Sequence, residues 1–388
     1  MNFKTAGESH GKGLVGIISD FPSGIHIDTD LIDNELARRQ KGYGRGGRMS
    51  IEKDRVEIIS GIRKGFTTGS PISFIIKNRD WENWQDLMSI FSDPDKNIHE
   101  EKLLAPRPGH ADLTGLLKYR LDTIRDVIER SSARETASKV CVGSFAKTAL
   151  GLIDIKVFSY VNSIGKVVFN EFVNIKDEKV LSNIEKSDVR SPDGSISKKM
   201  IKEIDQAKKS GDSIGGSFKV IITGAPPGLG SFTEWDKRLD ARLSYAVMAI
   251  PAIKAFEIGD GAASGAISGL DFHDEIFYKE NKGFFRETNR AGGIEGGMSN
   301  GENIIIGATM KPIPTTTAGM HTVDIKSKKD TISLKERSDV CAVPSAAIVA
   351  EAAAAIEIFR AVQKKFGGDN IDEVIENLNN YKRYIKRI

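Results

Sequence analysis

The sequence predicts a mixed α/β (α+β) fold in which two related halves each pack a sheet against a helix of small residues. Three observations support it: apolar runs end at glycine or proline, two helical segments are rich in small residues, and the first half of the chain resembles the second. A helix with so little side chain to bury is expected to pack closely or to lie between other layers.

Six apolar runs, most of them bounded by glycine or proline, predict strands. They cover residues 14–19, 56–60, 72–77, 155–161, 217–223 and 304–310. Helices are predicted over residues 30–41, 111–129, 134–150, 236–250 and 344–366. Asp30 is the predicted cap of the first helix, and Gly42 ends it. The last helix begins at Pro344 and ends at Gly367.

The two halves of the chain share a pattern at a nearly constant offset. The segment LVGIISDFPSG at 14–24 matches FKVIITGAPPG at 218–228, and Pro-Arg-Pro at 106–108 matches Pro-Ile-Pro at 312–314. RSSAR at 130–134 and RSD at 337–339 each lead into a small-residue helix. Three matches in one order favour a duplication over chance similarity of strand ends.

The chain is expected to form a single domain, 1–388, made of halves of about 1–200 and 205–388. No Pro/Ser-rich linker separates the halves. Between them, residues 174–211 are rich in Lys and Glu and predict solvated surface helices around a turn at SPDG. Residues 93–102 predict a polar loop.

The composition excludes several classes of protein. Lys and Arg number 56 against 53 Asp and Glu, so the net charge of +3 is too small for a surface that covers nucleic acid. Cys141 and Cys341 lie among small apolar residues, which predicts buried thiols rather than a disulfide framework or a multi-cysteine zinc site. No secretory leader or membrane span is predicted, so we expect a soluble, cytoplasmic protein.

Two glycine motifs lack the context that their usual functions require. GESHG at 7–11 matches the nucleophile elbow of α/β-hydrolases, yet that elbow follows a central strand and only six residues precede Gly7. GYGRGG at 42–47 matches a dinucleotide fingerprint, yet it follows a predicted helix. Ser9 and His10 remain candidate polar ligands on a glycine turn.

Basic and hydroxyl-bearing residues are concentrated in five segments framed by glycine or proline. These are RRQKGYGRGGR at 38–48, APRPGHAD at 105–112, RSSARE at 130–135, KPIPTTT at 311–317 and ERSD at 336–339. Several guanidinium groups in a nearly neutral chain indicate a site for a small ligand with several negative charges. The alternative is an RNA-binding Arg/Gly segment at 38–48, although only Tyr43 offers it a stacking face.

No structural metal is expected. The chain has no H-x-x-x-H or H-E-x-x-H spacing, and His10 and His110 have no neighbouring carboxylate in a ligand pattern.

These segments resemble the chorismate synthase family, and the resemblance extends over nearly the whole chain. In the family's order they are GESHGKGLVGIISDFPSG, RRQKGYGRGGRMSIEKDRVEIISGI, TTGSPISFIIKNRDW, PRPGHADLTG, ERSSARETASKV, GDSIGG, TNRAGGIEGGMSNGE, MKPIPT and ERSDVCAVPSA. So many long motifs in one order identify the chain as a member of that family.

The resemblance implies a homotetramer whose subunit is a β-α-β sandwich with helices between two sheets. The implied activity is that of a carbon–oxygen lyase: anti 1,4-elimination of phosphate from 5-enolpyruvylshikimate 3-phosphate gives chorismate, in the shikimate pathway of aromatic amino acid biosynthesis. The enzyme is expected to be a flavoprotein that requires reduced FMN without net redox change, with NADPH as a candidate reductant. The substrate's two carboxylates and one phosphate suit an arginine-rich pocket. No nucleic acid or membrane partner is implied.

The resemblance also implies roles for individual residues. Around the substrate it places Ser9, His10, Arg39, Arg45, Arg48, Arg107, Ser132, Arg134 and Arg337. Around FMN it places Arg130, Ser131, Ser132, Pro251, Ala252, Gly296, Lys311, Pro312, Ile313, Pro314, Thr315 and Arg337. Many family members have Asn or Gln where this chain has Pro251, so a side-chain amide contact is not implied there.

Three residues are implied in catalysis: His10, His110 and Asp339. In our hypothesis reduced flavin supplies electron density to the allylic system while phosphate leaves. His10 donates a proton to the flavin, His110 lies near the departing phosphate, and Asp339 helps to remove a proton from the flavin nitrogen N5. The sequence does not indicate whether the enzyme reduces its own flavin. The rival hypothesis, a non-enzymatic RNA-binding protein using loop 38–48, predicts steeply salt-dependent affinity instead.

Overall fold

Two antiparallel sheets form the outer layers of the fold, and helices fill the space between them. The computed structural model describes residues 1–46, 53–91, 103–171, 173, 175, 177–280, 282–334 and 339–388, and the structural statements below concern these residues. One sheet has four strands and the other has five.

The described strands and helices follow in chain order. The strands are β1 (Asn2–Ala6), β2 (Gly13–Ser19), β3 (Val56–Ser60), β4 (Ile62–Arg63), β5 (Phe66–Thr67), β6 (Ile72–Lys77), β7 (Lys156–Ile164), β8 (Val167–Val168), β9 (Gly216–Thr223), β10 (Ile253–Ile258), β11 (Ile276–Lys279), β12 (Gly283–Arg286), β13 (Ile294–Glu295), β14 (Met298–Ser299), β15 (Ile304–Met310), β16 (His321–Val323) and β17 (Asp330–Ile332). The α-helices are α1 (Thr29–Gln40), α2 (Asp112–Tyr119), α3 (Arg125–Ser131), α4 (Thr136–Gly151), α5 (Glu178–Lys186), α6 (Gly194–Lys209), α7 (Leu239–Met248), α8 (Gly269–Phe272), α9 (Val343–Phe366) and α10 (Ile371–Ile385). Short 3-10 helices lie at Arg79–Asn83, Ala133–Glu135, Trp235–Lys237 and Gly261–Ala266. The strand order is β1-β2-β6-β3 in the four-stranded sheet and β10-β15-β9-β7-β8 in the five-stranded sheet.

The four-stranded sheet buries one face and leaves the other open to solvent. Leu14 and Ile18 of β2 are fully buried, whereas Ile17 between them is 53% exposed. Ile18 pairs with Ile72 of β6, which is also buried. Because side chains alternate along a strand, this register turns one set of aliphatic residues towards the helices.

Helices α4 and α9 form the centre of the sandwich and are buried along most of their length. They pack against each other closely where Gly143 of α4 meets Ala352 of α9. Helix α4 also contacts β2, and α9 contacts β7 and β9, so the pair joins the two sheets. The small residues predicted to lie between layers therefore let two helix backbones approach.

Replacing Gly143 by alanine tests this packing. A Cβ at Gly143 would lie 2.4 Å from Ala352 Cβ and 2.6 Å from its Cα, so the helices would have to separate. Alanine gains about 1 kcal/mol of helix propensity, but overpacking of a tight core costs about 1–3 kcal/mol, so a net loss is expected. The matched control is Gly151→Ala, where no atom lies within 4 Å of the added Cβ. Urea unfolding that shows G143A to be more stable than the wild type would contradict the packing argument.

All six predicted strands are present, but two helix predictions were wrong in detail. The helix predicted over 111–129 is two helices, α2 and α3, because Arg120 adopts a left-handed conformation with φ of 52° and ends the first. The cap of α1 is Asp28 rather than Asp30, and its carboxylate accepts the Asp30 N–H. The Asp30 amide thus receives the cap instead of providing it. Helix α9 ends at Gly367 as predicted.

Other sequence predictions have mixed outcomes. Cys141 and Cys341 are buried free thiols as predicted, and burial raises the pKa of Cys341 to about 12. Helices α5 and α6 lie in the Lys/Glu-rich segment as predicted, with Asp193 of SPDG capping α6. The predicted loop at 93–102 lies outside the described residues. Within the described part of the chain, no helix has the length and apolar character needed to span a membrane.

The proposed duplication stays a proposal, and the arrangement supports it. The matching segments of the two halves place β2 and β9 inside their sheets, each with a partner strand on both sides. The two small-residue helices, α4 and α9, lie beside each other between those sheets.

Candidate active site

The Ser9–His10 turn connects β1 to β2, and the side chain of Asn78 holds it through hydrogen bonds. The Asn78 side-chain amide donates to the carbonyl oxygens of Glu8, Ser9 and Gly11, at 3.1, 3.1 and 2.8 Å. Ser9 Oγ donates to Ser132 Oγ at 3.0 Å. Since β1 is an edge strand and the serine bonds to a second serine, this turn does not have the context of a hydrolase elbow.

His10 is fixed on two sides. Its Nδ1 lies 2.9 Å from Glu129 Oε1, and its backbone N–H donates to Glu129 Oε2 at 2.8 Å. The imidazole stacks on the Trp84 ring at a centroid distance of 3.9 Å. The Arg125 guanidinium lies over the Trp84 ring and 3.4 Å from Glu129. His10 therefore lies in a defined orientation beside a buried carboxylate.

Arg39 and Arg134 share the buried carboxylate of Asp54. Arg134 Nη1 lies 2.5 Å from Asp54 Oδ1, and Arg39 Nη1 lies 3.7 Å from Asp54 Oδ2. Arg39 also donates to Thr136 Oγ1 and Ala133 O, both at 2.9 Å, at the start of α4. Arg134 Nε donates to Asn78 Oδ1, which connects this pair to the Ser9–His10 turn.

The surroundings of the Arg39 guanidinium disfavour its charged form, and a bound anion would favour it. Burial, together with the charges of Arg134 and Arg45, lowers the pKa of Arg39 to about 10 in spite of Asp54. Its buried Nη1 forms no hydrogen bond with the described residues. A bound carboxylate or phosphate would supply both a negative charge and the acceptor.

Replacing Arg39 by lysine should weaken substrate capture while retaining the positive charge. The lysine ammonium cannot reproduce the guanidinium fork, which contacts Thr136 and Ala133 and would also bond to the substrate. About one charge-assisted bond to the substrate is therefore lost, roughly 1.5–3 kcal/mol. The KM for the polyanionic substrate should rise about 10-fold or more. Arg55→Lys, at an exposed arginine beside Asp54 in sequence, is the matched control. Steady-state kinetics that give R39K the KM of R55K would contradict the role of Arg39.

A second cluster surrounds Arg107, which is 6% exposed. Arg107 Nε donates to Asp112 Oδ2 at 2.8 Å, and Nη1 donates to Thr315 Oγ1 at 2.9 Å. His110 Nδ1 lies 2.5 Å from Asp112 Oδ1. The turn thus brings a guanidinium, an imidazole and a hydroxyl together, as the basic segments predicted.

Lys311 connects this cluster to the segments implied in flavin binding. Its Nζ donates to Gly109 O at 2.6 Å, and its backbone N–H donates to Ala252 O at 3.0 Å. Ala252 has a φ of 68°, which gives the Pro251–Ala252 turn a tight left-handed step. Lys139, in the first turn of α4, donates to Ala249 O at 3.4 Å and so ties this turn to the helix that follows Ser132.

Arg45 and Asp339 form a third cluster. Arg45 Nη1 lies 2.8 Å from Asp339 Oδ2, and the Gly46 N–H donates to Asp339 Oδ1 at 2.6 Å. The Val340 N–H donates to Gly44 O, and Val340 O accepts from Ile214. Through Ser213, whose hydroxyl donates to Ile313 O, this cluster reaches the Lys311–Thr315 segment.

The three clusters therefore lie along one edge of the sandwich, which we call the arginine rim: Arg39, Arg45, Arg107 and Arg134 with the segments that carry them. The N-terminal ends of α4 and α9 lie at this edge, and their dipoles favour negative charge there. Four guanidinium groups and two imidazoles on one edge can bind a multiply anionic molecule and transfer protons to it.

Some predicted site residues do not fit the rim so directly. Arg48 and Arg337 lie outside the described residues. Arg130 donates to the Gly7 and Thr5 carbonyl oxygens of the β1 end, so its guanidinium is already engaged. Gly296 lies in the turn between β13 and β14, which precedes β15, whereas Lys311 follows the other end of β15. Seven extended residues separate those ends by about 20 Å.

Sequence reasoning missed four supporting residues: Glu129, Asp112, Asp54 and Asn78. The statement that His10 and His110 lack a neighbouring carboxylate was wrong, because Glu129 and Asp112 bond to them. Asp112 lies two residues from His110, so its spacing was a usable signal. Glu129 lies 119 residues from His10, and no local pattern could reveal that contact.

Two surface cavities lie away from the rim. One of about 520 Å³ is lined by residues including Lys365, Tyr381 and Tyr384, and one of about 380 Å³ lies on strands β9, β10 and β15. Each has a single lysine and no arginine in its lining. They cannot match several negative charges, so the rim is the better candidate for a polyanion site.

Comparisons with known proteins agree on one family. The family model described as chorismate synthase matches residues 1–362. A chorismate synthase from Desulforamulus reducens is 49% identical over 388 residues, which is 100% of each chain. One from Alkaliphilus metalliredigens is 51% identical over 378 residues, covering 97% of this chain and 98% of its own. A solved structure titled "Crystal Structure of Chorismate Synthase" has a TM-score of 0.79 and 37% identity, covering 100% of this chain and 98% of its own.

Proposed function

The chain belongs to the chorismate synthase family, and we propose that the arginine rim is its active site. The protein is a lyase of aromatic biosynthesis that converts 5-enolpyruvylshikimate 3-phosphate to chorismate by anti 1,4-elimination of phosphate. The observation that supports the rim is the gathering of Arg39, Arg45, Arg107 and Arg134 at one edge.

The rim suits the substrate because its positive charge and its hydrogen-bond donors both match the substrate's anionic groups. Two carboxylates and a phosphate need several donors, and guanidinium groups provide them in pairs. We assign substrate binding to Ser9, His10, Arg39, Arg45, Arg48, Arg107, Ser132, Arg134 and Arg337. In the described part of this set, Asp54, Asp112 and Asp339 pair with arginines and hold their orientation. Preorganised donors lower the cost of ordering them when the substrate binds.

Reduced FMN fits the same edge. The Lys311–Ala252 hydrogen bond brings two of the implied flavin segments together beside Gly109. We assign FMN binding to Arg130–Ser132, Pro251–Ala252, Gly296, Lys311–Thr315 and Arg337. Because the Arg130 guanidinium holds β1, the backbone of its segment is the part best placed for a ligand. When bound, the reduced flavin supplies electron density that no side chain can.

The residues of the chain handle protons and the leaving group. His10 holds a proton and donates it towards the flavin, beside the carboxylate of Glu129. His110 lies next to Arg107, where imidazole and guanidinium together face a departing phosphate. Asp339, held by Arg45 and the Gly46 amide, accepts the proton released later in the reaction.

We assign the chain to a cytoplasmic homotetramer. Gly296 supports an assembly, since its turn precedes β15 while Lys311 follows the other end of that strand, and no atom lies within 4 Å of a Cβ built on Gly296. Its contact with a flavin at Lys311 would come most directly from a neighbouring copy. Sedimentation equilibrium that gives a monomer at working concentration would overturn this assignment.

The RNA-binding alternative is weakened by the loop's own contacts. Arg38 is paired with Glu351 and Glu35, and Tyr43 donates to Asp205. Guanidinium groups and an aromatic ring that already bond to the protein offer little to a nucleic acid backbone. No steep salt-dependent RNA affinity is expected.

An anaerobic assay tests the proposed function. With reduced FMN and 5-enolpyruvylshikimate 3-phosphate, the purified protein should release phosphate and chorismate in equal amounts, and neither should appear when the flavin is oxidised. Lack of both products with reduced FMN present would overturn the proposal. NADPH consumption in the same mixture shows whether the chain reduces its own flavin.

A further inference from the structure

Both imidazoles of the rim are held at the same ring atom by a buried carboxylate. His10 Nδ1 lies 2.9 and 3.1 Å from the two oxygens of Glu129, and His110 Nδ1 lies 2.5 Å from Asp112 Oδ1. The Glu129 and Asp112 side chains are 1% and 0% exposed. Neither Glu129 nor Asp112 has been assigned a part in proton transfer or in the departure of the phosphate.

Both carboxylates are ionised at neutral pH. Burial alone would raise the pKa of Glu129, but the hydrogen bonds and charge of His10, followed by Arg125, lower it. Burial would likewise raise the pKa of Asp112, and the hydrogen bonds from His110 and Arg107 lower it well below its usual range. An ionised carboxylate can only accept hydrogen bonds, so Nδ1 of each imidazole must carry the hydrogen.

Arg107 also approaches His110 Nδ1, so its contacts bear on which atom carries the hydrogen. Its Nη2 lies 3.1 Å from both His110 Nδ1 and Asp112 Oδ1. A guanidinium only donates, so it could bond to Nδ1 only if that nitrogen had no hydrogen. The contact of His110 with Asp112 is shorter, at 2.5 Å, and it needs the hydrogen. Arg107 Nη2 therefore donates to the carboxylate, and Nδ1 keeps its proton.

We propose that Glu129 and Asp112 are positioning residues that hold His10 and His110 as Nδ1–H tautomers, with Nε2 directed to the rim as the proton-exchanging atom. The imidazole side chains of His10 and His110 are 14% and 18% exposed, although their carboxylate partners are 1% and 0% exposed. The carboxylates engage Nδ1, so we assign proton exchange to the second ring nitrogen, Nε2. The inference rests on the proposed function for what the two imidazoles do there.

Two further contacts restrict the His10 ring. Trp84 stacks on it with an interplanar angle of 25°, and Arg125 lies over the same indole and beside Glu129. Stacking fixes the ring plane, and the carboxylate fixes rotation within that plane. Nε2, which carries no hydrogen in this tautomer, is thereby aimed before any ligand binds, so that it can take up a proton and pass it on. This is the benefit that a carboxylate gives to a catalytic histidine.

Nitrogen NMR reads the tautomer directly. We would label the histidines with ¹⁵N, record long-range ¹H–¹⁵N spectra of the protein without flavin or substrate, and assign His10 and His110 from H10Q and H110Q. The expected spectra show a protonated Nδ1 at both positions. A wild-type spectrum with unprotonated Nδ1 at His10 or His110 would overturn the assignment for that residue.

Variants of Glu129 connect the tautomer to turnover. Glu129→Met keeps the side-chain volume but removes both acceptors, so His10 should lose its Nδ1–H signature and kcat should fall at least 10-fold. Its KM should change little, because Glu129 is not assigned to the substrate. Glu129→Gln keeps an acceptor oxygen and should recover the tautomer and part of the turnover. An altered tautomer with wild-type kcat, or lost kcat with an intact tautomer, would overturn the positioning role.

The surface pair His321–Asp330 provides the matched control. These side chains are 72% and 84% exposed and 3.1 Å apart, so Asp330→Asn should leave kcat unchanged. The NMR measurement does not depend on turnover. If the wild type released no phosphate, the proposed function would fail, and the spectra would still decide the tautomers.

Discussion

Replacing His110 by alanine should abolish most turnover and leave FMN binding intact. The imidazole lies beside Arg107 and Asp112 at the rim, where the proposed mechanism places the leaving phosphate. A positioned proton-transfer group contributes about 10²- to 10⁴-fold. Asp339→Ala should lose turnover to a similar extent. Single-turnover phosphate release measures the rate, and equilibrium dialysis measures flavin affinity.

Two controls make this result specific. Asp339 also accepts the Gly46 N–H and pairs with Arg45, so Asp339→Asn keeps a hydrogen-bonding group while removing the base. His321→Ala removes an exposed imidazole and should turn over as the wild type does. Wild-type rates in H110A or D339A would remove that residue from the mechanism.

Replacing Glu351 by glutamine should destabilise the whole fold. Glu351 is fully buried in α9, where Lys147, Arg38 and Arg190 approach its oxygens at 2.5, 2.9 and 3.3 Å. Burial alone would raise the pKa of Glu351, but those three cations lower it, so the carboxylate is ionised. Removing the charge leaves buried cations without their central partner, at a cost of about 3–5 kcal/mol.

Glu357 provides the comparison on the same helix. It is also buried, but its partners Arg242 and Arg360 are 41% and 22% exposed and can be hydrated when the carboxylate is removed. E357Q should therefore lose clearly less stability than E351Q in urea unfolding. An E351Q variant whose free energy of unfolding lies within about 1 kcal/mol of the wild type would contradict the account of this cluster. Removing one partner of a buried ion pair normally costs more than that.

The sequence predicted the layers of the fold because their signals are local. Apolar runs with flanking glycine or proline located the six predicted strands, and the small residues of α4 and α9 predicted helices between layers. The break at Arg120 was missed, because a left-handed residue that is not glycine has no pattern in a single sequence. Strand β1 was missed because its five residues carry mixed side chains at a sheet edge.

The candidate site was predictable in its cations and only partly in its carboxylates. Arginines in glycine- and proline-framed turns are visible as motifs, and four of them meet at one edge. Two of the buried carboxylates come from distant parts of the chain: Asp54 lies 80 residues from Arg134, and Glu129 lies 119 residues from His10. Such pairings depend on how the layers pack, which single-sequence patterns do not record.

The most direct test mixes the protein anaerobically with reduced FMN and then adds 5-enolpyruvylshikimate 3-phosphate, while absorbance and phosphate are followed together. If the rim holds the polyanion against the flavin, the flavin spectrum should change as the substrate binds, and phosphate should follow. R39K should need more substrate for the same spectral change. A flavin spectrum that does not respond to the substrate, with no phosphate released, would contradict the central claim that these arginines converge on one flavin-dependent site.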